Sequence, residues 1–433
     1  MKVYNHTIDS IEGGTQMSLN DTPKGNRIHI ALFGKRNAGK SSVINAITGQ
    51  SLAIVSDIKG TTTDPVYKAM ELLPLGPVMM IDTPGLDDEG ELGEQRIAKA
   101  KAVLNKTDIA LIVIDSNEYV ESYKTNKNEA QQSFEEDILT MVKEKQIPYI
   151  IVWNKGDLLE EEIEKVWFEN EHSIAVSTVT GKGIHELKEL IAKQVPEEEE
   201  KFQIVGDLLN PSDLVVLVVP IDKAAPKGRL ILPQQQTIRD ILESDAIAIV
   251  TKEYELRETL ESLGRKPKLV ITDSQVFAKV SADTPKDIML TSFSILFARH
   301  KGDLEELVKG VTVVDNLQDG DTILMAEGCT HHRQCDDIGT VKIPRWLLQH
   351  TGKKLNFEQC SGTEFPEDLS KYALVVHCGG CTLNRREMQY RVRHTKAKKT
   401  PIVNYGILIA YMQGILKRSV EPFPSIAMLL EDK

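Results

Sequence analysis

Hydrophobic and polar residues follow one another in the first half of the chain in the order typical of a parallel sheet covered by helices. From Arg27, an apolar strand leads into a glycine-rich turn and then into an amphipathic helix. Further apolar runs alternate with helical segments. The predicted strands are RIHIALF, PVMMID, IALIVID, PYIIVWN and SIAVS. The pattern predicts an α/β domain over residues 26–196, preceded by a flexible tail over residues 1–25.

Two further α/β units with mostly parallel sheets are predicted after this domain. The second unit, residues 204–295, has apolar strands at 214–219, 246–250 and 268–272. Its sequence contains neither a glycine-rich phosphate loop nor a cluster of His and Cys. This composition favours a packing or association module over a catalytic one.

The third predicted unit covers residues 300–433, and two of its strands run directly into cysteine motifs. Its predicted strands are residues 311–315, 322–327, 373–377 and 401–406. TILMAE is followed by GCTHH, and ALVVH is followed by CGGC. Doubly wound sheets bind their ligands at the carboxyl ends of strands, so both motifs lie where such a fold would form a site.

Composition narrows the functional classes. The net charge is −12, which makes general nucleic-acid binding unfavourable. The sequence has no apolar run of membrane-spanning length and no signal-peptide pattern at its start. We therefore expect a cytoplasmic protein that binds neither nucleic acid nor a membrane. All five cysteines lie between Cys329 and Cys381, which suggests a metal site confined to one domain.

The turn after the first strand matches the phosphate-binding loop pattern, from Gly34 to Gly39-Lys40-Ser41. Backbone amides of such a loop surround phosphate oxygens. Lys40 is predicted to neutralise charge on the β- and γ-phosphates, and the Ser41 hydroxyl is predicted to bind Mg²⁺. The pattern predicts a nucleotide site.

Four further motifs follow in the order expected of a GTPase. Asp82-Thr-Pro-Gly85 follows a strand, so Asp82 can hold Mg²⁺ through water and the Gly85 amide can sense the γ-phosphate. Asn154-Lys155-Gly-Asp157 presents a carboxylate suited to guanine N1–H and its 2-amino group, and Ser177-Thr178 fits the loop that closes on the guanine O6. The predicted contacts of GTP or GDP are Gly34, Asn37, Ala38, Gly39, Lys40, Ser41, Ser42, Gly85, Asn154, Lys155, Asp157, Ser177 and Thr178.

The segment Gly60-Thr-Thr62-Thr-Asp64 is predicted to be a switch loop in which Thr62 binds Mg²⁺. Leu86 occupies the position where Ras-like enzymes carry a water-orienting glutamine, so slow intrinsic hydrolysis is expected. Asn37 and the switch loop resemble the Era-like and tRNA-modification branch of GTPases. The resemblance implies a K⁺ ion bound by Asn37 and a catalytic set of Lys40, Asn37 and Thr62. The branch usually has arginine where this chain has Thr63.

The cysteine motifs predict a metal site. Cys329-Thr-His331 is followed after 45 residues by His377-Cys378-Gly-Gly-Cys381. Three thiolates and two imidazoles suit either an iron–sulfur cluster or zinc. Reactive thiols without a metal are a third interpretation. The other two cysteines, Cys335 and Cys360, are interpreted as inert buried thiols. The histidines His332, His350 and His394 are interpreted as surface or core residues.

The segment Arg385–Lys399 contains seven Lys or Arg and one Glu. A solvated helix face is the favoured interpretation. Its position directly after Cys381 also permits a second one, in which it attracts an anionic cluster or the acidic surface of a partner.

The GTPase motifs, the motif-free middle unit and the CTH…HCGGC pattern together resemble the [FeFe]-hydrogenase maturation GTPases, from about residue 25 to the end. The resemblance implies a [4Fe-4S] cluster on Cys329, Cys378 and Cys381, with His331 and His377 as possible ligands. It also implies a transient diiron precursor with carbonyl and cyanide ligands, delivered to apo-[FeFe]-hydrogenase. Two radical S-adenosylmethionine maturases and a homodimer formed by the middle domain are the implied partners.

Two alternatives share parts of these motifs. A tRNA-modification GTPase would share the first domain, but the sequence shows no basic, aromatic-rich binding surface. A zinc-stabilised regulatory GTPase would share every motif.

Overall fold

The computed structural model describes residues 22–49, 64–85, 91–124, 134–158, 172–195, 203–220, 230–328, 337–362 and 364–430. In this part of the chain, the first sheet has the strand order β2-β3-β1-β4-β5-β6. Its strands are β1 (Ile28–Phe33), β2 (Val66–Leu72), β3 (Gly76–Asp82), β4 (Ile109–Asp115), β5 (Tyr149–Asn154) and β6 (Ser173–Ala175). β2 runs antiparallel to β3, and the other pairs are parallel.

Helices cover both faces of this sheet. They are α1 (Lys40–Thr48), α2 (Glu91–Leu104), α3 (Ser116–Lys124), α4 (Phe134–Glu144) and α5 (Ile184–Gln194). Leu111 and Ile112, neighbours on β4, belong to two different hydrophobic clusters. Successive side chains of a strand point to opposite faces, so each face of the sheet has its own core.

Two four-stranded parallel sheets follow, with the orders β10-β9-β7-β8 and β12-β11-β13-β14. The strands of the second sheet are β7 (Leu214–Val218), β8 (Ile247–Thr251), β9 (Leu269–Thr272) and β10 (Met289–Ser292). Those of the third are β11 (Thr322–Glu327), β12 (Asn356–Ser361), β13 (Tyr372–His377) and β14 (Ile402–Asn404). The predicted class, an N-terminal α/β domain followed by two α/β units with mostly parallel sheets, is confirmed.

The helices around these two sheets are α6 (Leu232–Glu243), α7 (Leu256–Ser262), α8 (Phe277–Asp283), α9 (Phe293–Lys301), α10 (Leu304–Val311), α11 (Ile343–Thr351), α12 (Arg385–Ala397), α13 (Tyr405–Met412), α14 (Leu416–Val420) and α15 (Pro424–Met428). Val216 of β7 and Val375 of β13 belong to one continuous hydrophobic cluster. The predicted boundary between residues 295 and 300 falls inside α9. The second and third units therefore share a core.

The prediction of a strand at residues 311–315 is wrong. α10 occupies Leu304–Val311, and Val314–Asn316 form a short 3₁₀ turn. The Asp303 carboxylate accepts a hydrogen bond from the Glu306 amide and caps α10, and the apolar residues of that helix are buried on one face. Val311 therefore completes the buried face of α10, and Val314 is buried from the 3₁₀ turn. No helix in the described ranges is long and apolar enough to cross a membrane.

Candidate functional site

The phosphate-binding loop connects β1 to α1, as the sequence predicts. Gly34 has φ 152° and Gly39 has φ 91°. A Cβ atom on Gly34 would lie 2.2 Å from the Val113 carbonyl oxygen, and one on Gly39 would lie 2.1 Å from Asn154 Nδ2. Both positions therefore require glycine, because β4 and β5 approach the loop too closely for a side chain.

Lys40 lies inside this loop and is 7% exposed. Its Nζ donates hydrogen bonds to the carbonyl oxygens of Gly34 and Lys35, at 2.8 and 2.7 Å. The ammonium group is thus held at the centre of the loop, where a nucleotide phosphate would bind.

Ser41 and Asp82 come together at the end of β3. The Ser41 hydroxyl donates a hydrogen bond of 2.6 Å to Asp82 Oδ2. Burial raises the pKa of Asp82, while the Ser41 hydrogen bond and the Lys40 charge lower it. A hydroxyl and a carboxylate in contact are a donor set that suits Mg²⁺.

The predicted guanine motif lies beside the phosphate loop. Asn154 Nδ2 donates to the Ala38 carbonyl oxygen at 2.9 Å, which ties the end of β5 to the loop. The Oδ1 atom of Asn154 is buried and has no hydrogen-bond partner among the described residues. An orphaned acceptor in this position is consistent with a site built for a ligand.

Asp157 and Ser177 are also brought together. The Ser177 hydroxyl donates to Asp157 Oδ1 at 2.6 Å, and the amides of Val179 and Thr180 donate to the Ser177 oxygen. Lys155 has φ 63° and pairs with Asp115 at 2.5 Å, a contact that the sequence motifs did not reveal. Thr178 follows Ser177 in the same loop.

Asn37 lies at the tip of the phosphate loop, exposed and with φ 60°. Gly85 packs beside it, since a Cβ there would lie 2.7 Å from Arg36 Cα. Ser42 follows Ser41 in the first turn of α1. Thr62 and Leu86 lie outside the described residues.

The cysteine turn lies at the carboxyl ends of β11 and β13. The Gly328 amide approaches Cys378 Sγ at 3.0 Å, and the Gly380 amide approaches it at 3.4 Å. A Cβ on Gly328 would lie 2.8 Å from Leu383, so the glycine before Cys329 allows this close packing. Amide donors directed at a cysteine sulfur are typical of thiolates that hold iron–sulfur clusters.

Cys381 completes the described part of this turn. Cys329 and His331, together with His332 and Cys335, lie outside the described residues. The structure therefore places two of the three predicted thiolates on one turn, and the third stays a prediction. In the described ranges, no group of three or more His, Cys, Asp or Glu forms a metal-binding cluster.

His377 is fully buried, and both of its ring nitrogens have partners within the chain. Arg391 lies 3.0 Å from Nε2, and the Cys378 carbonyl oxygen lies 2.6 Å from Nδ1. A guanidinium group can only donate, so Nε2 accepts and the proton is on Nδ1. Burial, and then the Arg391 charge, lower the pKa of His377 to about 3, although the bond to Cys378 opposes them. His377 is therefore a neutral imidazole that supports the turn from inside.

Arg391 corrects the interpretation of the Arg385–Lys399 segment as a wholly solvated face. It is 0% exposed and bonds Glu387 at 2.9 Å, with a further bond of 2.7 Å to the Gly362 carbonyl oxygen. The helical spacing of Glu387 and Arg391 in the sequence is the signal that could have revealed this pair.

Lys301 is a second cation beside the turn that sequence reasoning missed. Its Nζ donates to the carbonyl oxygens of Cys381 and Leu383, at 3.1 and 2.9 Å. Burial lowers the pKa of Lys301 to about 8, and the charges of Cys381 and Cys378 oppose this shift.

Of the residues interpreted as inert thiols or as surface or core histidines, the structure describes Cys360, His350 and His394. Cys360 is half-buried in β12, and burial raises its pKa to about 11. His350 pairs with Asp315 at 3.3 Å, and His394 bonds backbone carbonyls.

Three family models match the chain. Residues 29–155 match the 50S ribosome-binding GTPase model, residues 204–302 match the Hydrogen maturase F dimerization domain, and residues 305–422 match the Hydrogen maturase F tetramerization domain. The fold and the nucleotide site define a P-loop GTPase domain followed by two α/β units with parallel sheets, which match the models named for dimerization and tetramerization. The chain belongs to the hydrogen maturase F family, the [FeFe]-hydrogenase maturation GTPases, and the predicted resemblance is confirmed.

Curated relatives match the GTPase part. The tRNA modification GTPase MnmE of Aquifex aeolicus is 33% identical over 170 residues, which are 39% of this chain and 34% of the relative. MnmE of Legionella pneumophila (strain Paris) is 36% identical over 180 residues, 41% of this chain and 37% of the relative. The chain thus spans little more than a third of these relatives. The predicted branch of the GTPase domain is confirmed.

Solved structures also align with the chain. A probable GTP-binding protein engB is 22% identical, with a TM-score of 0.33, over 39% of this chain and 100% of that one. Era of Aquifex aeolicus is 20% identical, with a TM-score of 0.32, over 55% of this chain and 98% of that one.

Proposed function

We propose that this protein is a GTP-hydrolysing scaffold that binds a [4Fe-4S] cluster and carries a diiron precursor to apo-[FeFe]-hydrogenase. The observation that carries the proposal is the Cys378 turn, whose sulfur receives two backbone amides, on a chain that also has a GTPase site. The family models support the combination.

The nucleotide is proposed to bind along the loop from Gly34 to Ser41 and to be hydrolysed to GDP and phosphate. Lys40 would neutralise the β- and γ-phosphates, and Ser41, Thr62 and Asp82 would hold Mg²⁺. Asn37, at the exposed tip of the loop, would bind K⁺, which would supply positive charge in the transition state.

The cluster is proposed to be held by Cys329, Cys378 and Cys381. The chemistry of this donor set fits the group, because amides that approach Cys378 Sγ stabilise a thiolate and Gly380, with φ 59°, allows the turn. Three cysteines would leave one iron with a replaceable ligand, which is what a carrier of a diiron precursor needs. His331 stays a possible ligand, whereas the internal bonds of His377 favour a supporting role.

A homodimer is proposed to form through β8, the edge strand of the second sheet. Ile247 and Val250 of this strand are 44% and 47% exposed. An exposed apolar edge strand is a template for pairing with a second copy. Residues 204–302 also match a domain model named for dimerization. Sedimentation of Val250→Lys should show monomers, and an unchanged dimer would exclude β8.

The proposed domains are the GTPase domain at 26–196, the dimerisation domain at 204–295 and the cluster-binding domain at 300–433. The proposed partners are apo-[FeFe]-hydrogenase and two radical S-adenosylmethionine maturases, in the cytoplasm. The tRNA modification named for the curated relatives is not extended to this chain, because the similarity covers 34% and 37% of those proteins.

The experiment is anaerobic reconstitution with iron and sulfide, followed by absorption and EPR spectra and by iron and zinc analysis. We expect a brown protein with a cubane signal that activates apo-hydrogenase when the two maturases are supplied. A colourless protein with one zinc per chain and no activation would favour the zinc-stabilised regulatory GTPase instead.

A further inference from the structure

Lys301 is a buried cation at the end of α9, directly behind the cysteine turn. The residue is 2% exposed, and its hydrogen bonds go to the carbonyl oxygens of Cys381 and Leu383. In the described part of the chain, no carboxylate lies within ion-pair distance of its ammonium group. Among the described residues, the fold therefore buries this positive charge without a carboxylate partner.

Arg391, the other buried cation near the turn, is compensated. Glu387 lies 2.9 Å from its guanidinium group, on the same helix. Burying a charged group without a counter-charge costs several kcal/mol, so such groups are normally paired. The chain supplies a carboxylate to one of these two cations and leaves the other facing the cysteines.

Lys40 gives a parallel within the same protein. It is also buried, and it also donates to two loop carbonyl oxygens, those of Gly34 and Lys35. That loop is built to hold the phosphates of a nucleotide. In both places a buried lysine has its ammonium group fixed by two backbone carbonyl oxygens of a loop.

We propose that Lys301 is the counter-cation of an anionic metal group held on Cys378 and Cys381. The inference rests on the proposed function and deepens it. Thiolate ligands give an iron–sulfur cluster net negative charge, and reduction adds more. A fixed positive charge nearby favours the reduced form and raises the reduction potential. Lys301 also positions the turn, since its two bonds hold the backbone on either side of Thr382.

The test compares three substitutions of Lys301. Lys301→Gln keeps N–H donors for the carbonyl oxygens but removes the charge, Lys301→Met removes both, and Lys301→Arg keeps both. Lys309→Met is the control, because Lys309 is an exposed cation on α10 that pairs with Glu305. Each protein is reconstituted with iron and sulfide, and its iron content, cluster reduction potential and metal-free thermal unfolding are measured.

We expect Lys301→Gln and Lys301→Met to lower the ratio of reduced to oxidised cluster about tenfold at a fixed potential, or 59 mV for one electron. In Lys301→Arg and Lys309→Met, the ratio of reduced to oxidised cluster should stay within about twofold of that in the unsubstituted protein. The metal-free Lys301→Met protein should unfold at the same temperature or higher, because an unpaired buried charge is gone.

An unchanged cluster reduction potential, with full iron content in both Lys301→Gln and Lys301→Met, would overturn the proposal. So would a metal-free Lys301→Met protein that unfolds earlier while the potential of Lys301→Gln is normal, since Lys301 would then be structural only. If the unsubstituted protein itself binds no cluster, the proposed function fails, and that result is distinct from either outcome above.

Discussion

The side-chain amide of Asn384 donates a hydrogen bond of 2.7 Å to the carbonyl oxygen of Lys106. Lys106 directly precedes the segment that leads into β4 of the GTPase domain, and Asn384 lies three residues beyond Cys381. The same Asn384 side chain accepts from the Glu387 amide and caps α12. A salt bridge of 3.3 Å between Arg386 and Asp108 reinforces the junction. The cysteine turn is therefore attached directly to the nucleotide-binding domain.

We predict that Asn384→Ala loosens this junction. Loss of the helix cap should cost about 1 kcal/mol of unfolding free energy, and loss of the bond to Lys106 should expose the junction. Hydrogen exchange should then rise in the segments around Lys106 and Glu387.

Asn404→Ala is the matched control for this substitution. Asn404 also caps a helix, through Ile407, and also donates to a backbone carbonyl oxygen, that of Ser294 at 2.9 Å. It lies in the core shared by the second and third units. Asn404→Ala should lose similar unfolding free energy without raising hydrogen exchange around Lys106. Equal hydrogen exchange around Lys106 in both variants would contradict the proposed role of Asn384 in the junction.

Guanine preference should depend on Asp157. Asp157→Asn should weaken GTP binding by about 10- to 100-fold, since a hydrogen bond to a charged group is lost, and should improve binding of xanthine nucleotides. Fluorescence titration with both nucleotides measures this. Asp115→Asn is the control, because it should disturb Lys155 and leave the Asp157 carboxylate in place. An unchanged preference for guanine in Asp157→Asn would exclude a role of Asp157 in base recognition.

Potassium should accelerate GTP hydrolysis relative to sodium at matched ionic strength. Leu86 has no polar group for the attacking water, so charge stabilisation is expected to come from a cation at Asn37. Initial rates in the two salts, for the unsubstituted protein and for Asn37→Ala, provide the test. Identical rates in the unsubstituted protein would refute a cation at this site.

The stability of the metal-free protein should fall as the pH drops below about 6.5, and His377 should account for part of the loss. Its pKa is lowered to about 3 in the folded state, against about 6.5 when unfolded, so the unfolded chain takes up a proton first. The contribution is fully present above pH 6.5 and is lost at about 1.4 kcal/mol per pH unit below it.

Denaturant titrations between pH 7 and pH 4 measure this contribution. His377→Gln should reduce the slope of the unfolding free energy against pH by about 1.4 kcal/mol per pH unit. Asn404→Ala, which removes no titratable group, should leave the pH dependence unchanged. Parallel curves for His377→Gln and the unsubstituted protein would contradict the assignment.

The nucleotide site could be predicted from the sequence because its residues follow local rules. Gly34 and Gly39 are needed where a strand turns sharply into a helix, and Asp82 and Asn154 each end a strand of one sheet. The carboxyl ends of parallel strands meet at one edge, so sequence order alone brings these groups together.

The surroundings of the cysteine turn could not be predicted in the same way. Lys301 is 80 residues from Cys381, and its position depends on how α9 packs in the core shared by two sheets. β12, with the polar sequence NFEQCS, escaped prediction because an edge strand of this sheet lacks a continuous apolar run.

In the proposed function, the cysteine turn holds a cluster whose delivery depends on a separate GTPase site. It is tested most directly by measuring iron content, GTP turnover and hydrogenase activation on the same variants. Cys329→Ser, Cys378→Ser and Cys381→Ser should each lose the cluster and activation while GTP turnover is largely kept, because the first sheet has its own cores. Cys360→Ser should keep its iron content, GTP turnover and hydrogenase activation. Lys40→Ala should keep iron but lose GTP turnover and hydrogenase activation. Full iron and normal activation in the Cys378→Ser and Cys381→Ser proteins would contradict the account.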